Sequence, residues 1–125
     1  MPDPYKTGLD HIRAGRYFEA HEELELVWRA APAEERDFYQ GLVHVAVAWY
    51  QAGRGKPVAT ARQLEKALRR LEPYEPAHRG VHVTALRRQL AELLATGDLR
   101  GREPDGIEGA VHRDVEPPVP VEEEK

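Results

Sequence analysis

The stretch Phe38-Tyr39-Gln40-Gly41-Leu42-Val43-His44-Val45-Ala46-Val47-Ala48-Trp49-Tyr50 decides the fold. With each residue placed about 100° from the last, Phe38, Leu42, Val45 and Trp49 form one stripe. Tyr39, Val43, Ala46, Val47, Ala48 and Tyr50 extend the apolar character nearly all the way round. A helix apolar on most faces has to be covered on most faces. The segment from about Ala33 to Ala52 is therefore expected to be the central helix, with a narrow polar strip of Arg36, Gln40, His44 and Gln51 along it.

The flanking segments read as one-sided helices able to supply that cover. Before it, about Arg16 to Ala31 gathers Tyr17, Ala20, Leu24, Val27 and Trp28 on one face, with Glu19, Glu22, Glu23 and Arg29 opposite, and Pro32 stops it. Leu26 falls on the charged side, where it marks a candidate contact surface. A short helix over residues 5–14, with Leu9 and Ile12 inward, ends at Gly15. Beyond Gly53 and Gly55, Pro57 suits a first helical turn, and Ala61, Leu64, Ala67, Leu68 and Leu71 form the next stripe. After the Pro73–Gly80 connection, Val83, Leu86, Leu90, Leu93 and Leu94 give a fifth helix that ends before Gly97. No stretch alternates as a strand would. The expected fold is all-α: a bundle of about five antiparallel helices over residues 1–97, then an extended Pro/Glu-rich C-terminal tail over 98–125. Ala14-Gly15-Arg16 and Ala52-Gly53-Arg54 echo each other, as paired helices with similar turns would, but no clean repeat period follows.

Composition narrows the function classes. The 125 residues contain no cysteine, which removes disulfides, thiolate nucleophiles and Cys-ligated metal centres. The formal charge of −4 argues against nucleic acid as the main partner. No signal segment or membrane-length apolar run is seen, so a cytoplasmic location is expected. Asn and Ser are absent and charged residues are abundant, a bias shared by thermophilic proteins and by GC-rich genomes.

One constellation carries candidate chemistry. His21, Glu25 and Trp28 stand at i, i+4 and i+7, so the imidazole and the carboxylate can reach one point. The helical wheel sets His21 between Tyr17 and Trp28, inside the apolar face, with Glu25 on its edge beside Phe18. Groups carried inward this way need partners. The candidates are each other, Arg36, Gln40 and His44 of the third helix, His11 of the first, water, or a divalent metal ion. Such an ion would take His21 and Glu25 as ligands, with His44 as a weaker third. The zincin pattern fails because Glu25 stands where a second His is required.

His21-Glu22-Glu23-Leu24-Glu25-Leu26-Val27-Trp28, preceded by Tyr17-Phe18-Glu19-Ala20, resembles the domain of unknown function 309 family, which has the motif His-x-x-x-Glu-x-x-Trp/Tyr. Glu35–Val43 and Ala46–Tyr50 resemble its second block, and the likeness runs from about Leu9 to Leu71. Where the family usually carries Gly-Asn after the third helix, this chain reads Gly55-Lys56. The resemblance implies a helical fold and candidate metal binding, with no established reaction. Two functional readings follow. The first is a metal- or small-ligand-binding polar pocket between helices two and three, formed by His21, Glu25, Trp28, Arg36, Gln40 and His44. The second is a helical protein-interaction module, homodimeric in one form, in which the His/Glu pair is structural. His78 and His82 also have i, i+4 spacing, but Pro76 and Gly80 argue against a helix between them.

Overall fold

The computed structural model describes residues 3–99 and 101–107. The protein is all-α, with helices α1 (Pro4–Arg13), α2 (Tyr17–Ala30), α3 (Ala33–Gly53), α4 (Pro57–Leu71) and α5 (Val83–Thr96), and a 3-10 turn at Glu72–Tyr74. Each helix packs against its successor, and α3 has its most extensive contacts with α2 and α4. Connectors of two or three residues join the first four helices, and such short links fold neighbours back antiparallel.

α3 is central, as its apolar circumference requires. Phe38, Leu42, Val45, Ala46 and Ala48 are fully buried, with Trp49 and Tyr39 nearly so. Two helix pairs approach closely at glycines. A Cβ on Gly41 would lie 2.7 Å from the Leu71 side chain of α4, and one on Gly8 of α1 would lie 2.7 Å from Leu24 of α2. α2 is an outer helix, burying fully only Ala20 and Leu24.

The two interhelical turns are built alike. Gly15 and Gly55 take φ of +78° and +72°, which lets each helix end in a left-handed residue. Arg16 N–H donates to His11 O at 2.9 Å and Lys56 N–H to Gln51 O at 3.0 Å, while Gly15 and Gly55 donate to Ile12 O and Ala52 O. The structural repeat therefore aligns residues 14–16 with 54–56. The sequence echo aligned Ala14-Gly15-Arg16 with Ala52-Gly53-Arg54 and is two residues out of register, because Gly55 and not Gly53 has the positive φ.

Past α5 the described residues form no helix or strand and turn at Gly101 and Gly106, yet the core continues into them. Leu99 and Ile107 are buried. Gln89, only 3% exposed, donates to Glu103 O and accepts from Asp105 N–H, each at 2.7 Å. Trp49 Nε1 donates to Arg102 O at 3.0 Å, and His82 N–H donates to Gly106 O at 2.8 Å. The rest of the expected tail, residues 108–125, lies outside the described residues. No helix among the described residues is long and apolar enough to cross a membrane.

The contact at Gly41 gives a direct test of the packing. Gly41→Ala should destabilise the protein by about 1–3 kcal/mol through overpacking against Leu71. Gly53→Ala, where a Cβ meets nothing, should be neutral or stabilising by up to a few tenths of a kcal/mol. Urea denaturation of the two variants checks both signs.

Candidate functional site

The motif residues lie along one side of α2, at the border between core and solvent. His21 Nε2 is 3.5 Å from Glu25 Oε2, and Arg29 approaches the other carboxylate oxygen at 3.5 Å. The side chains of His21 and Glu25 are 25% and 34% exposed. The wheel gave the direction of His21 but not its depth. On an outer helix Tyr17 and Trp28 are themselves only half-buried, and the position between them is the rim. Nδ1 of His21 is 3.3 Å from Phe18 O, and because a carbonyl can only accept, Nδ1 is the donor there.

A row of rings and cations continues from this pair. The Phe18 ring is 5.4 Å from the His21 ring and 5.4 Å from the Tyr50 ring of α3. Arg54 stands over Tyr50 at 5.6 Å, and at the other end Arg36 stands over Trp28 at 5.1 Å. The α2–α3 surface therefore reads Arg54, Tyr50, Phe18, His21, Glu25, then Trp28 and Arg36.

Four of the six expected pocket residues belong to this row: His21, Glu25, Trp28 and Arg36. His44 is directed elsewhere, with its Nδ1 2.7 Å from Gln63 Oε1 of α4. Burial lowers its pKa from the ordinary value; the Gln63 hydrogen bond opposes the shift, and Lys66, Arg70 and Arg69 reinforce it. Gln40 is half-buried. His11 Nδ1 accepts from Arg16 Nε at 3.1 Å, within its own turn. Among the described residues no three His, Asp or Glu side chains converge on a point that would hold a metal. As a metal site, His21 and Glu25 supply two ligands where protein sites typically use three or four.

Two further features were not legible in the sequence. His78 pairs with Glu35, 43 positions away, at 2.7 Å, and its ring lies 4.6 Å from that of Phe38. Next to it, Arg79 stands 4.2 Å over the Tyr5 ring and donates to the Tyr39 hydroxyl at 2.8 Å, while Tyr5 OH donates to Arg79 O at 2.7 Å. Burial raises the Tyr5 hydroxyl well above the usual tyrosine range, with Arg79 pulling part of the way back. This cluster ties the 75–82 connection to α1 and α3. The only local signal for it was the Arg79-Gly80 turn. The second feature is a cleft of about 480 Å³ between the ends of α3 and α5 and the start of α4. None of the six expected pocket residues lines it.

Residues 5–63 match the profile of a family described as "Domain of unknown function (DUF309)". A protein of Aquifex aeolicus (strain VF5), described as an uncharacterized protein, is 32% identical over 86 residues, covering 68% of this chain and 26% of that protein. The chain thus spans about a quarter of the length of the curated relative it matches. No solved structure matches the chain.

His44 carries a pH prediction. Its folded-state pKa lies below the ordinary 6.5, so as pH falls through that value the unfolded chain takes up a proton that the folded chain refuses. Stability present above about pH 6.5 is lost below it. His44→Gln should flatten the decline in stability between about pH 7 and about pH 5, as read by denaturant melts. Parallel curves for the two proteins would contradict the assignment.

Proposed function

The chain belongs, through residues 5–63, to the DUF309 family of domains of unknown function, and on that premise we propose that it is a helical interaction module engaging a protein partner through the α2–α3 row. The observation that carries this reading is where large apolar groups remain uncovered. Three stand out among the described residues: Phe18 at 45% exposed, Leu26 at 52% and Val58 at 66%; Phe18 belongs to the row, while Leu26 lies on the charged side of the same helix. Beside Phe18 lies half-buried Tyr50 under Arg54, and at the far end of the row lies half-buried Trp28 under Arg36. Aromatic residues and arginine are the types that dominate binding energy at protein interfaces. His21 and Glu25 supply a polar centre that fixes orientation in an otherwise apolar contact. That the matched segment makes up 26% of the Aquifex relative also suits a module working beside other parts of a protein. Self-association through this row is one form of the proposal.

A divalent metal ion at His21 and Glu25, with or without a reaction built on it, is the second reading. One observation favours it: with Nδ1 donating to Phe18 O, Nε2 is the ring nitrogen turned toward the Glu25 carboxylate, and in the neutral imidazole that nitrogen and the carboxylate can ligate the same cation. Further ligands would have to come from outside the described residues.

A photo-crosslinking side chain in place of Phe18 tests the module, with one in place of Glu65 on exposed α4 as control. Position 18 should give a discrete adduct, to another protein or to a second copy of the chain, that Glu65 does not give. No adduct, or the same adducts from both positions, would refute the reading. Metal content discriminates the alternatives: near-stoichiometric metal lost in His21→Ala favours the second, and metal-free protein that still crosslinks favours the first.

A further inference from the structure

No residue of the motif row lines the cleft between the end of α3, the start of α4 and the end of α5, and the proposed interaction does not use it. Its volume of about 480 Å³ falls in the range of small-molecule sites. Tyr17, Ala52, Pro57, Ala61 and Leu94 offer its accessible apolar surface, backed by Trp49, Leu64 and Leu93, which are nearly or fully buried. Its polar lining is unbalanced in charge: Lys56 and Arg102 are cationic, and Asp98 is the one carboxylate. Asp98 is already engaged in an interaction of its own. Among the described residues Arg102 has one long ion-pair contact, 3.8 Å to Glu92, and Lys56, which is exposed, has none.

Gly53 adds an independent observation. It is the last residue of α3, where glycine still gives a helix no side chain to pack and costs up to a few tenths of a kcal/mol relative to alanine. Neither explanation found at the other glycines applies, because its φ is not positive and a Cβ there would meet nothing within 4 Å. It does line the cleft, and leaving out a side chain at that point keeps the cleft open.

We propose that this cleft binds a small amphipathic anion, with its apolar body against Tyr17, Ala61 and Leu94 and its carboxylate, or an equivalent acidic head, between Lys56 and Arg102. The apolar wall supplies affinity by surface burial, and the two cations select the sign of the head group.

The test is calorimetric titration of the full chain with decanoate, below its micelle concentration, and with decyltrimethylammonium, which has the same tail and the opposite head charge. Decanoate should bind saturably with one site, roughly tenfold or more tighter than the ammonium. Lys56→Glu combined with Arg102→Glu should abolish or reverse that preference. Gly53→Phe, placed where a Cβ has open space, should retain the wild-type melt and weaken decanoate at least tenfold. The charge-reversed variant keeps the test decisive if Gly53→Phe does not fold. Absence of saturable decanoate binding, equal affinity for the two head groups, or undiminished binding in folded Gly53→Phe would each overturn the proposal.

Discussion

α3 has no polar face broad enough to turn to water, so it must be wrapped, and the wrapping positions every other element. Burying side chains such as Phe38, Leu42 and Trp49 contributes roughly 1.5–3 kcal/mol each, far more than any ion pair on this surface. α4 closes on α3 where Gly41 admits Leu71, and α1 closes on α2 where Gly8 admits Leu24. The segment after α5 completes the cover, held by the buried Gln89 amide and by Trp49.

This arrangement leaves α2 half in and half out. α2 gives Ala20 and Leu24 to the core and leaves Phe18, His21, Glu25 and Trp28 along the edge of its contact with α3. A His–Glu contact of 3.5 Å at that level of exposure is a surface pair, worth about 0–1 kcal/mol. The His21–Glu25 pair therefore contributes little to holding the bundle together.

Helix positions and the identity of the core were legible in the sequence because periodicity reports direction. Leu64, Ala67 and Leu71 of α4, and Leu86, Leu90 and Leu93 of α5, face inward where their stripes place them. Depth was not legible. His21 points toward the apolar side yet stops at its rim, because depth depends on how many neighbours cover the helix. Cross-chain partners were equally hidden: nothing local joins His78 to Glu35, His44 to Gln63, or Gln89 to the backbone at residues 103–105. The composition that marks residues 98–107 as loop is real, but a loop segment can still be part of the core when a buried amide satisfies its backbone.

The stability of the double variant His21→Ala/Glu25→Ala, measured by urea denaturation beside Phe38→Ala, tests this account most directly. Motif residues at the rim predict a loss of about 1 kcal/mol or less for the double variant, against about 3–5 kcal/mol for the buried ring. A double variant that loses as much as Phe38→Ala would contradict it, and would make the imidazole and carboxylate supports of the fold.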